Sequence, residues 1–116
     1  MTSERTQLST QLLALASMHC RAGAPRLGAD ELAGHLVHLP GWTQDGARLA
    51  KTFAFPEYHA TIAFVNALAW IAHRENHHPD LSVHYARCVV TFATHDAGGV
   101  TLNDVICAAK AERLFA

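Results

Sequence analysis

At 116 residues, half of them apolar, the chain can bury one hydrophobic core and is too short for two ordinary domains. Nine Lys plus Arg against ten Asp plus Glu leave a formal net charge of -1 with no basic cluster, which argues against direct binding to a nucleic-acid backbone. Cys20, Cys88 and Cys107 lie far apart in sequence and outside any CxxC spacing, and no apolar run reaches signal-peptide or membrane-spanning length, so reduced thiols in a cytoplasmic protein are expected.

The first expected element is a helix over residues 3–21, with Ser3 as a cap, Leu8, Leu12, Leu15 and His19 on one face, and Gly23 and Pro25 as the stop. Residues 23–28 read as a linker, which makes 1–27 an N-terminal helical arm and 28–116 the main domain. Asp30 can then cap a short helix with Leu32, Leu36 and Leu39 inward, ended by Pro40-Gly41. From Trp42 the period changes. Asp45-Gly46 is a hairpin-type turn, and Leu49, Phe53 and Phe55 alternate with Arg48, Thr52 and Ala54 as in a half-buried strand.

Pro56-Glu57 opens a long helix to about Arg74, whose Ile62, Phe64, Val65, Leu68, Ala69, Trp70 and Ile71 leave little polar surface. Pro79 ends it, and residues 81–94 read as one long strand with Val83, Tyr85, Val89 and Thr91 on one face, closed by Gly98-Gly99. Thr101 and Asp104 have capping-box spacing for a further helix with Leu102, Val105, Ile106 and Ala109 inward. The order implies an α+β fold, helices packed on one face of a small antiparallel sheet of three strands, with an extra N-terminal helix. Exposed sheet edges and an over-apolar helix favour a homodimer or homotetramer.

Nine histidines are many for this length, and four of them fall between His73 and His84. Imidazole titrates near neutrality, so such a cluster suits proton transfer or metal ligation. His73 and His77, at i and i+4, have zinc-chelating spacing on a helix, but no acidic base follows in HExxH form and no metal or other cofactor is expected. A strand over residues 81–94 would span about 45 Å at roughly 3.3 Å per residue, so another element or another subunit must bring His95 to its partners.

His73, His77, His78, Pro79, Tyr85, His95 and Asp104 follow one another at a fixed spacing, joined by the phrases Leu39-Pro40-Gly41-Trp42 and Thr94-His95-Asp96-Ala97-Gly98-Gly99-Val100-Thr101. Over about residues 29–114 this pattern resembles the pterin-4a-carbinolamine dehydratases. Two positions depart from it: 73 is more often a carboxylate, and Leu81 stands where an aromatic is common. The resemblance implies a lyase that eliminates water from 4a-hydroxytetrahydropterin to give the quinonoid dihydropterin, serving tetrahydrobiopterin recycling beside an aromatic amino acid hydroxylase.

It also implies a site. His77, His78 and His95 would line the pterin pocket and share the acid and base roles, titrating as a coupled set with a bell-shaped pH–rate profile around the histidine range of about 6.5. Pro79, Asp104, Asp96, Tyr85 and His73 would complete the pocket, Pro79 by fixing the turn that presents His78. Asp104 would orient His95 or act as a helix cap, and Asp96 could orient it equally. Proteins of this fold also serve as non-enzymatic transcriptional dimerisation cofactors or assembly factors, but those tend to lose the histidine set, which this chain keeps.

Overall fold

The computed structural model describes residues 8–116. Helix α1 (Thr10–Ala16) begins at Ser9, whose hydroxyl accepts from the Leu12 N–H at 3.0 Å. It is shorter than the expected 3–21. The Ser17 hydroxyl donates to the Leu13 carbonyl at 2.9 Å where the helix ends, and His19 lies beyond it. Ser3, the expected cap, is outside the described residues. Helix α2 (Ala29–Leu36) starts at Gly28 rather than Asp30, because the Glu31 carboxylate turns back to the Gly28 N–H at 3.1 Å. Leu32 is buried from the helix and Leu39 from the turn after it.

Strands β1 (Thr43–Asp45) and β2 (Arg48–Ala54) form the expected hairpin, turning at Gly46 with φ +61°, which a glycine adopts without a side-chain clash. Along β2, Leu49 and Phe53 are buried while Arg48, Thr52 and Ala54 face out. Helix α3 (Tyr58–Glu75) is capped by the Glu57 carboxylate, which accepts from the His59 and Ala60 N–H groups. Thr61, Phe64, Leu68 and Ala72 are buried along it, whereas Tyr58 and Trp70 remain exposed within the chain.

The expected long strand over 81–94 is two strands, β3 (Asp80–Val83) and β4 (Arg87–Ala93), paired antiparallel with Asp80 opposite Thr91 and Val83 opposite Cys88. The sheet therefore has four strands rather than three, in the order β1-β2-β4-β3. Its turn is held partly from outside: the Thr61 hydroxyl donates to the Tyr85 carbonyl at 2.9 Å and the Phe55 N–H to the Ala86 carbonyl at 2.8 Å. Because the chain doubles back there, the end of β4 that leads to His95 returns to the start of β3, and the 45 Å separation does not arise.

Helix α4 (Leu102–Phe115) buries Val105, Ile106, Cys107, Ala108, Ala109 and Ala111 against the sheet and the other helices. Helices lie on one side of the sheet, an α+β architecture as expected. Leu12, Leu15 and Ala16 of α1 join the same buried cluster as Leu49, Phe53, Leu68 and Phe92. Among the described residues no helix is long and apolar enough to cross a membrane.

Candidate active site

Helix α3 ends because Asn76 takes the left-handed conformation, φ 51°, that terminates helices and is tolerated by asparagine better than by most residues. The reversal carries His77 off the helix axis toward the first turn of α4. Its Nε2 lies 2.6 Å from Asp104 Oδ1, and its ring stacks on Phe92 with centroids 6.0 Å apart. His77 is 13% exposed at its side chain and Asp104 is 0% exposed, so this pair is shielded from bulk solvent.

Asp104 is fully engaged. Its Oδ2 accepts from the Thr94 hydroxyl and from the Thr101 N–H, both at 2.9 Å, and the two threonine hydroxyls are 2.8 Å apart. The carboxylate thus closes the capping box of α4 and receives the histidine at once. An ionised carboxylate accepts only, so across this contact the ring proton lies on His77 Nε2, and Nδ1 is the nitrogen turned away from Asp104. Asp104 is expected from the sequence to orient His95 or to cap a helix. In the structure it is a cap, and its histidine is His77.

A cavity of about 600 Å³ opens beside this hub, walled by Asn76 and His77 after α3, Thr94 and Asp96 after β4, Asn103 of α4, and residues 20–26. Of the other expected site residues, Pro79 is half-buried beside His78, and His78 and His95 are exposed, His95 opening the short 3-10 turn His95–Ala97. Their rings make no hydrogen bond or ion pair with the described residues, and of the three expected histidines His77 alone is on the wall of this cavity.

Tyr85 is not brought to this place. It stands 67% exposed at the β3–β4 turn, stacked on Tyr58, a strand's length or about 13 Å from the His77 end of β3. His73 is stacked on Trp70, and it does not share a helix face with His77 because the helix stops between them. The zinc spacing is lost for that reason, and among the described residues no group of three or more His, Cys, Asp or Glu is placed to hold a metal.

Thr101 is marked in the sequence as a cap and Thr94 only as part of the family phrase, while Asn103 and residues 20–26 carry no site signal. Gly99 admits this segment: a Cβ there would come within 2.2 Å of Arg26 Cδ, while Leu27 N–H donates to the Val100 carbonyl at 2.8 Å. Glu75 anchors the same segment from α3, accepting from the Cys20 N–H at 2.7 Å and pairing with His19 at 2.9 Å and Lys110 at 3.7 Å. Burial raises its carboxyl, but the Cys20 N–H, His19 and Lys110 more than offset this and hold it below its ordinary value of 4.5.

The family model described as pterin 4 alpha carbinolamine dehydratase matches residues 25–114. The chain belongs to the pterin-4a-carbinolamine dehydratase family. It is 54% identical over 111 residues to a protein of Xanthomonas campestris pv. campestris provisionally named pterin-4-alpha-carbinolamine dehydratase, with 91% of this chain and 94% of that one covered. A relative from Chromobacterium violaceum with the same provisional name is 59% identical over 96 residues, covering 78% of this chain and 89% of its own.

Among solved structures, a transcriptional coactivator/pterin dehydratase from Brucella melitensis aligns with TM-score 0.76 and 30% identity, over 78% of this chain and 99% of that one. A pterin dehydratase-like protein identified as a RuBisCO assembly factor in the alpha-carboxysome aligns with TM-score 0.53 and 26% identity, over 63% of this chain and 84% of its own. Both share the family fold. The family match begins at residue 25, after α1.

Proposed function

We propose that this chain is a hydro-lyase that dehydrates 4a-hydroxytetrahydropterin in tetrahydrobiopterin recycling, with His77, His78 and His95 sharing the proton transfers. The observation that carries the reading is His77 on the wall of a cavity open to solvent, with its Nε2 2.6 Å from the buried Asp104 carboxylate behind it. In the reaction the C4a–O bond breaks as an acid protonates the departing hydroxyl, which leaves as water. A base takes the N5 proton, and the N5 electron pair forms the new C=N bond of the quinonoid dihydropterin. Both steps suit imidazoles, whose ordinary pKa lies near working pH.

Asp104 acts through His77 as a positioning residue: it sets the tautomer and stabilises the imidazolium formed when His77 takes a proton. Asp96 lines the cavity, which supports a contact between it and the pterin. A part for Tyr85 in the pocket requires a second copy of the chain, since within one copy it stands at the far end of the hairpin. The test is a stopped assay with 4a-hydroxytetrahydropterin generated by a phenylalanine hydroxylase. Acceleration over the spontaneous dehydration is expected, and a rate equal to the spontaneous one would remove the proposal.

A further inference from the structure

Cys20 and Cys107 are 87 positions apart in sequence, yet their sulfur atoms stand 3.5 Å apart in the fold. The backbone on both sides of this contact is fixed. Cys20 N–H is held by Glu75, Arg21 N–H donates to Asn103 Oδ1 at 3.1 Å, and Asn103 Nδ2 returns a bond to the Arg21 carbonyl at 2.8 Å. Asn103 lies one turn before Cys107 on α4, so the two thiols are presented to each other by the same clamp. A disulfide needs a sulfur separation of about 2.05 Å, a closure of about 1.5 Å from the observed distance.

We infer that Cys20 and Cys107 form a reversible disulfide under peroxide, stapling the segment that walls the cavity to the helix that carries Asp104. Cys20 is half-buried and lines the cavity, so it is the thiol an oxidant can reach. Its sulfur attacks one peroxide oxygen, the O–O bond breaks, and the thiol proton leaves in one water, giving a sulfenic acid. Cys107 sulfur then attacks Cys20 sulfur, the S–O bond breaks, and the second thiol proton leaves in a second water. Two thiols are oxidised to one disulfide and one hydrogen peroxide is reduced to two waters.

The buried Cys107, its thiol pushed up by its hydrogen bond with Cys20 and by burial, is a poor first target for oxidant, and it is its sulfur contact with Cys20 that makes it the resolving partner. Cys88, buried on β4 with its thiol also raised by burial, is a built-in control. The step is independent of any reaction at the histidines.

The folded protein is treated with hydrogen peroxide in slight excess, and free thiols are counted in denaturant. We expect a fall from three to one, reversed by dithiothreitol, and the tryptic peptide 6–21 joined to the peptide 88–110, which holds both Cys88 and Cys107, with fragment ions placing the link at Cys107. Cys20→Ser, at a half-buried position, and Cys107→Ala, which keeps a small apolar side chain in the core, should each abolish the reversible cross-link without loss of helical signal. Retention of three thiols by the wild type, a cross-link surviving in either variant, or oxidation of Cys20 to sulfinic acid with no cross-link would overturn the inference.

Discussion

The proton chemistry depends on single side chains whose surroundings differ. His78→Ala is expected to lower turnover by roughly two to four orders of magnitude, the usual worth of a general acid or base, with His77→Ala and His95→Ala also severely impaired. Steady-state rates with circular dichroism as a folding control check this; wild-type rates in the His77 and His78 variants together would show the histidines to be spectators. Asp104→Asn is a different kind of change. The carboxylate accepts on both oxygens, so an amide either turns a donor toward the Thr101 N–H, which cannot accept, or keeps its oxygen there and donates to His77 Nε2, which must then hold the other tautomer. We expect a stability loss of about 1–3 kcal/mol for the weakened buried cap and histidine pair, read by denaturant unfolding. A displaced limb of the pH–rate profile should accompany it, which a merely structural role would not produce. In the sequence Asp104 is legible as a cap and as a member of the family pattern, whereas Thr94 stands in the family phrase with no role attached, because a threonine after a strand looks the same whether or not its hydroxyl meets a carboxylate ten residues on.

Elements meet at the ends of α3, and there a pH effect follows. The Glu75 carboxyl is held below its ordinary 4.5 in the fold, so its contribution to stability is present above that value and is lost as pH falls through the lowered folded pKa. Unfolding free energies measured between about pH 5 and 3 should decline more steeply for wild type than for Glu75→Gln, which has no such group to titrate. Parallel curves would show that the Cys20 and Lys110 contacts contribute nothing in solution. Helix α3, the β1–β2 hairpin and the cap of α4 could be read from residues 42–75 and 101–109 because Asp-Gly, Pro-Glu and Thr-x-x-Asp mark their own ends. The β3–β4 turn could not: His84, Tyr85 and Ala86 include none of the usual turn residues, and the bonds from Thr61 and Phe55 that help hold it come from elements remote in sequence. Missing that turn is what made His95 look unreachable.

At the scale of the molecule, β3 is an edge strand with Val83 exposed, and Trp70 is 63% exposed on α3. We expect the chain to associate through one or both surfaces, and sedimentation should return a multiple of 12.6 kDa; a monomer at micromolar concentration would show that water covers them. The central strand pair has a further consequence, for the order in which the molecule can be made. β2 and β4 pair Arg48 with Ala93, so the sheet closes only after everything between them exists, and its cover comes later still, from residues 105–111 of α4. A fragment ending at residue 101 should therefore lack cooperative thermal unfolding, which calorimetry would detect. During synthesis the nascent chain must hold a sheet covered only in part, by α3, until α4 clears the ribosome, and only then does His77 acquire its carboxylate.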